Sequence, residues 1–407
     1  MHALVLTDLA GGHGGAERVA VESALALAEA GARVTFIHAV AGADPRLAHP
    51  AIARICLDLT DIWQLGAIHA LQAGIWNGEA AERLAPVLRS LHAAPDTVIH
   101  LHQWTRAFSP AIFPILAKTQ LPIFVTAHDY FLACPNGVLF RFDVEEPCQL
   151  TPMSAACLAT NCDTRSYLHK CVRALRVATV RGRLQETSLD LVHVSDLGRD
   201  KLTPFVPVSW RHHRVDNPVS IRKEAPAGID RTKKLAFIGR LTREKGALLA
   251  AAAAKRAAAP IVFIGDGPAR EEIRVLCPDA EMTGWIAADD VIDLLRRRVR
   301  AILAPSLWPE TGPLTVYEGA AIGLASVVSK RCGAAERVSN QSGFVVEPTI
   351  EAFAAAMVEL ADDDRAGAMG AQAFELYWAN PPSPQSHARK LIDLYGNACS
   401  SQKTIPL

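Results

Sequence analysis

The sequence has no excess charge of either sign, no long apolar run and no basic leader. Lys plus Arg and Asp plus Glu both number 42 among 407 residues, for a formal net charge of zero. That disfavours a nucleic-acid partner held by bulk positive charge. The longest stretch without an acidic or basic residue, 62–78, still contains Gln64, His69, Gln72 and Asn77, so no segment reads as a transmembrane helix. In the opening MHALVLTDLAGGHGGAER a short apolar run breaks at Asp8. It reads as a strand rather than a signal peptide, and a cytoplasmic location is expected. Cysteines number nine, an odd count, with five between Cys134 and Cys171. In a cytoplasmic chain such crowding favours metal binding or free thiols over disulfides.

What the sequence does have is alternation. ALVLTDL, ARVTFIHA, TVIHLHQ, PIFVTAHD and DLVHVS read as buried strands, each followed by a loop or helix. Continuous apolar strands alternating with helices imply a parallel sheet covered on both faces. Over 215–234 the pattern lapses into Pro, Gly and charges, as a linker would. It restarts with KLAFIGRL, PIVFIGDG, RAILAPS and ASVVSKR. The predicted class is α/β, with two doubly wound Rossmann-like domains in tandem. The first covers 1–220, with a poorly patterned insertion at about 130–170, and the second covers 221–380. A last helix and tail occupy 381–407.

Four loops at strand ends carry candidate chemistry. In AGGHGGAER, Gly11, Gly12, Gly14 and Gly15 let backbone approach a ligand, and the next helix offers free N–H groups to an anion. The spacing is not that of a dinucleotide fingerprint, and no acidic residue closes the second strand. In FIGRLTREKG, Arg240 and Lys245 follow Gly239, and two cations at a strand's carboxyl end suit a diphosphate. In FIGDGP, Gly265 and Gly267 open a turn beside Asp266. In LWPETGPLTVYEG, Pro313 suits a first helical position. Glu310 is then expected in the crevice and Glu318 inside the helix, with amides near Gly312, Leu314 and Thr315 free for phosphate. One carboxylate can hold sugar hydroxyls and the other ribose hydroxyls. Taken singly, the plainer readings are a glycine turn that makes room, a solvated charged loop, an ordinary β-to-α turn and a solvated helix face.

Together, and in order, these motifs resemble the family 4 retaining glycosyltransferases of GT-B fold, two domains facing across a cleft. VTAHD, VSDLGRDKL, VDNPV, TGWI and CGAAERVSNQSGFVVEP extend the likeness along nearly the whole chain. The resemblance implies transfer of a hexose from a nucleotide-sugar donor, bound by the second domain, to a glycan or lipid-linked acceptor on the first. The setting it implies is surface polysaccharide assembly. It assigns catalytic roles to His128, Arg240, Lys245 and Glu310. Donor binding falls to Gly14, Gly15, Gly239, Gly265, Asp266, Gly312, Pro313, Leu314, Thr315 and Glu318. The family uses no catalytic metal, so no cofactor is expected for the reaction, and no nucleic acid as partner. It also has the last helix return to the N-terminal domain. Three departures stand out: Thr311–Gly312–Pro313 where Phe–Gly is common, Gly319 where alanine is common, and GLASVVSKRCGAAE. A non-catalytic scaffold of the same fold is the alternative.

Two further expectations concern the insertion and the segment after it. Some forty unpatterned residues need an anchor, and Cys134, Cys148, Cys157 and Cys162 offer either a structural zinc site or buried free thiols. Lys170, Arg173, Arg176, Arg181 and Arg183 fall on one predicted helix beside an apolar stripe. It is read either as a peripheral contact with the cytoplasmic membrane face or as a basic helix packed on the domain.

Overall fold

The computed structural model describes residues 1–11, 14–91, 96–184, 187–228 and 232–402; Gly12 of the first glycine loop lies outside them. The first domain contains β1 (His2–Thr7), β2 (Arg33–Val40), β3 (Ile52–Leu59), β4 (Thr97–Leu101) and β5 (Ile123–Ala127). It continues with β6 (Phe140–Arg141), β7 (Glu146–Pro147), β8 (Asp190–His193) and β9 (Arg211–Arg214). A parallel sheet runs β3-β2-β1-β4-β5-β8-β9, while β6 and β7 pair antiparallel inside the insertion. The second domain contains β10 (Leu235–Ile238), β11 (Ile261–Ile264), β12 (Glu281–Gly284), β13 (Ala301–Ala304), β14 (Ala325–Ser329) and β15 (Gly343–Val346). Its parallel sheet runs β12-β11-β10-β13-β14-β15.

Both faces of each sheet are covered, which is why the strands read as unbroken apolar runs. Leu4 and Leu6 point into one cluster with Ile99, Leu101 and Val125. Ala3 and Val5, one residue out of phase, enter another with Val34, Phe36 and Val98. In the second sheet Leu235, Phe237 and Phe263 face one way, and Ala236, Val262 and Ile302 the other. The helix Pro384–Gln402 lies on the first domain, where Ala388, Leu391 and Tyr395 join the cluster of Ala3 and Val5. His387 hydrogen-bonds Ser23 at 2.8 Å and the Asp216 carbonyl at 2.7 Å. Among the described residues no helix is long and apolar enough to cross a membrane.

In each sheet the strand order reverses beside the first strand, between β1 and β4 and between β10 and β13. Loops leaving the two strands at such a point part to opposite faces and open a crevice at the carboxyl ends. The crevices face each other, and the domains touch across them. Tyr130 Oη donates to the Pro309 carbonyl at 2.7 Å, and Thr311 Oγ1 to the His128 carbonyl at 2.9 Å. Arg243 bridges to Glu145 of the insertion at 2.9 Å.

The insertion has a core of its own around the four cysteines expected to bind zinc. Among the described residues no three His, Cys, Asp or Glu side chains are gathered to hold a metal ion. Cys134, Cys157 and Cys162 are buried free thiols, and Cys148 is half-buried. The loop has a core after all, because Tyr130, Leu132, Leu139 and Phe140 are buried with Trp104 and Phe108. Asn136 ties Cys134, Phe140 and Cys162 together, donating to the Phe140 carbonyl at 2.6 Å. Lys170 donates to the carbonyls of Cys157 and Thr160.

The same contacts turn inward three of the five basic residues expected along the next helix, Tyr167–Leu184, while Arg183 stays exposed. Lys170 and Arg176 are buried, Arg173 pairs with Asp163 at 2.9 Å, and Arg176 stacks on Phe131. These three cations point into the protein, where Asp163, the Cys157, Thr160 and Thr105 carbonyls and the Phe131 ring receive them.

Candidate active site

The loop after β10 and the loop after β13 meet at the second domain's switch point. Gly246 makes the meeting possible. Its φ is +75°, and a Cβ there would lie 2.1 Å from the Pro305 carbonyl oxygen. With that close approach, Lys245 forms an ion pair with Glu310 and sits 5.6 Å from the centre of the Trp308 ring. Ser306 Oγ also donates to Glu310, whose carboxylate is buried. The backbone of Glu310 is pinned too: its N–H donates to the Arg331 carbonyl at 2.9 Å, and its carbonyl accepts from Gly333 at 2.7 Å. Burial and the Glu310 charge together push the neighbouring Cys332 thiol far up. Arg240 is exposed and forms no ion pair among the described residues.

Pro313 is the N-cap rather than the first residue of the helix Leu314–Ala321, and no side chain caps it. The first amides, those of Leu314 and Thr315, therefore lack intrahelical acceptors, as helix N-termini that bind anions do. Glu318 lies one turn in, buried, and pairs across the cleft with Arg18 of the helix Gly15–Glu29 at 2.7 Å. Gly319, where alanine is common, has a local cause: a Cβ would meet Ile302 Cγ1 at 2.6 Å.

The glycines divide. Gly239, with φ +141°, has open space where a Cβ would be, as a ligand-facing turn requires. Gly265 does not, since a Cβ there would strike the Gly239 carbonyl oxygen at 2.1 Å. Its role is to let the turn after β11 lie against the turn that carries Arg240. Asp266 accepts from the Gly267 amide at 2.8 Å and reaches Arg270 at 3.4 Å, away from Lys245 and Glu310. Gly312 lies against Val194 and Asn217 of the other domain. Gly14 N-caps its helix, and its N–H is taken by Glu17 Oε2 at 3.3 Å, whereas Gly15 is exposed.

On the first domain, His128 follows β5, and its Nε2 lies 3.1 Å from His102 Nδ1 after β4. Burial holds the His128 pKa down to about 3, so the ring is neutral at pH 7. His102 Nε2 and Gln103 Oε1 are buried with no partner among the described residues. Both line a small cavity with Thr126, His128 and Asp129. Burial raises the Asp129 pKa to about 6, against the pull of the Phe131 amide and Arg176. The sequence reading missed Arg18, His102, Gly246 and Ser306. TVIHLHQ did contain His102 at the end of a strand, but nothing in sequence joined it to His128.

Residues 232–363 match the model of the family described as "Glycosyl transferases group 1". The chain resembles the group 1 glycosyltransferases. A GDP-mannose-dependent alpha-mannosyltransferase of Corynebacterium glutamicum is 25% identical over 203 residues, 49% of this chain and 48% of that protein. The chain thus matches about half the length of that curated relative. Among solved structures, sucrose-phosphate synthase from Thermosynechococcus elongatus aligns with a TM-score of 0.69 at 16% identity, over 98% of this chain and 100% of that one. HepE of Anabaena in complex with UDP and glucose aligns with a TM-score of 0.64 at 15% identity, over the same shares. A TarM variant of S. aureus, in complex with Fondaparinux, alpha-GlcNAc-glycerol and UDP, gives 0.69 at 11% identity over 97% and 99%. At these identities the likeness establishes the fold, and it is GT-B.

Proposed function

We propose that the chain is a retaining glycosyltransferase that moves a hexose from a nucleotide-diphosphate sugar to a glycan or lipid-linked acceptor in surface polysaccharide assembly. The observation that carries this reading is the Lys245–Glu310 pair beside an uncapped helix N-terminus at the β10/β13 switch, with Arg240 exposed on the same loop as Lys245. On this reading the helix amides and Arg240 hold the donor diphosphate, and Glu318 takes the ribose. The bond between the anomeric carbon and the diphosphate oxygen breaks as charge grows on the leaving group, which Lys245 and Arg240 stabilise in place of a divalent metal. Glu310, positioned by Ser306 and Lys245, accepts hydrogen bonds from the transferred sugar. Neutral His128 meets the same sugar from the other domain. The acceptor attacks from the face the leaving group vacates, and the departing phosphate takes its proton.

The relative uses GDP-mannose, and two of the aligned structures hold UDP. Thermal shift with GDP-mannose and UDP-glucose therefore comes first. A donor at a hundred times its dissociation constant adds about 2.7 kcal/mol. The stabilising donor is then monitored for release of its sugar in EDTA. A protein stabilised by no nucleoside diphosphate or nucleotide sugar would end the proposal. Inversion at the anomeric carbon of the product would end its stereochemical part.

A further inference from the structure

The helix Tyr167–Leu184 buries Ala174, Val177, Val180 and Leu184 against the domain, but it also turns cations inward and leucines outward. Lys170, Arg173 and Arg176 are turned inward onto carbonyls, Asp163 and the Phe131 ring, while Leu168 and Leu175 stand in solvent, 65% and 53% exposed. Positions 168, 171, 175 and 178 form one stripe at helical spacing. All four are exposed, and they are Leu, Cys, Leu and Ala. The neighbouring helix Ala67–Ile75 touches this one and adds Ile68, 72% exposed, and Leu71. The two run side by side in the same direction: Arg165 stacks on Trp63 at their starts, and Arg183 on Trp76 at their ends. Both tryptophans are exposed, and both cations remain at the surface.

Charge separates this surface from an ordinary exposed apolar patch. In a chain with equal numbers of acids and bases, 62–78 contains no charged residue and 164–184 contains no acid. The flanking acids are occupied, Asp163 by Arg173 and Glu79 by Arg83. Aliphatic side chains between two Arg–Trp pairs, in an acid-free field, match the headgroup boundary of an anionic bilayer. The patch also lies on the acceptor side. Arg176 of this helix donates to the Thr105 carbonyl, in the loop that lines the cavity beside His128.

We infer that this helix pair is the surface by which the protein sits on an anionic lipid bilayer, presenting the His128 side of the cleft to an acceptor carried in the membrane. The inference rests on the proposed function only for the acceptor; the surface itself is tested with lipid alone. Full-length protein is sedimented with vesicles of phosphatidylcholine alone and with vesicles containing phosphatidylglycerol. Binding to the anionic vesicles, weakened by salt, is expected. Leu168→Asn with Ile68→Asn should lower the partition coefficient about tenfold or more, since each removes one inserted aliphatic group. Arg165→Glu with Arg183→Glu should abolish the preference for anionic lipid. Release of the donor sugar to water should be unchanged in both variants, because neither touches Lys245 or Glu310. Equal binding of wild type and variants to vesicles, or no binding at all, overturns the inference and leaves the transferase reading standing. So does a wild-type dimer that the Leu168→Asn variant breaks, because the patch would then be covered by a second copy.

Discussion

Glu310 and Glu318 sit eight positions apart on one loop and helix, yet their surroundings give them different work. Glu310 is held by a cation and a hydroxyl of its own domain, whereas Glu318 is held by Arg18 from the opposite one. Glu310→Gln keeps the shape and removes the charge beside Lys245. It should lower kcat by roughly 10² or more with little change in KM, if its contact strengthens as the sugar flattens. Glu318→Ala should instead raise KM for the donor, since the ribose is a bystander in the reaction. Equal losses in kcat from the two changes would show that this division is wrong. Gly246→Ala makes the harsher test of geometry, because its neighbour is a carbonyl oxygen at 2.1 Å that no rotamer change can move aside. Stability should fall by more than about 1 kcal/mol. Activity should fall further than stability explains, because Lys245 is the adjacent residue. A variant with wild-type kcat would mean that the Lys245–Glu310 pair is dispensable.

At the scale of elements, the strands that the sequence revealed are those buried on both faces. In the two parallel sheets β3, β9, β12 and β15, the four edge strands, were not foreseen, and β3 and β9 show the physical reasons. β3 is an edge strand whose Ala53, Arg54 and Asp58 are exposed, so its apolar pattern is broken. β9 reads RHHR, which no periodicity marks as a strand. It is held by Asp190 on β8, which accepts from Arg211 at 2.7 Å and His213 at 2.6 Å. That pairing exists only once the sheet is formed. Loops were legible where their chemistry was local, as with Glu310 beside Pro313. They were illegible where it was not, as with Arg18 reaching Glu318 or Asn136 joining two cysteines. The core of the insertion was likewise illegible, because cysteine spacing says nothing of the residues buried around the thiols. Lys170→Met removes the ammonium that holds the Cys157 and Thr160 carbonyls and leaves them buried without a donor. It should cost about 1–3 kcal/mol. Cys157→Ser should cost less than that in urea unfolding. The reverse ranking, with zinc bound to the purified protein, would restore a thiolate site.

For the whole molecule, the helix Pro384–Gln402 makes the N-terminal domain depend on the far end of the chain, and it does so through histidines. Tyr395 Oη meets His100, and His387 bridges Ser23 and the Asp216 carbonyl. Burial lowers the pKa of His100 and His128 to about 3 and that of His387 to about 4. His193, at about 3, is lowered by burial and then by His212. These groups are neutral when folded but take up protons near pH 6.5 when unfolded. Below that pH the unfolded state binds more protons, so stability is full above about pH 6.5 and is lost as the pH falls toward 4. Asp129 works in the opposite sense. Its carboxyl is raised to about 6, so the folded state holds that proton more tightly, and stability drawn from it is lost as the pH rises from about 4 to 6. With His2, His38, His102 and His212 also lowered by burial and Asp8 also raised, eight histidines against two carboxyls set the direction. The urea midpoint should drop steadily between pH 6.5 and 4.5, with loss of the N-terminal domain first. His387→Gln, which keeps a hydrogen-bonding side chain at that site but cannot titrate, should flatten the slope. A midpoint that holds level across that range would mean these rings are charged in the folded protein, and the packing of the last helix against β4 would need another explanation.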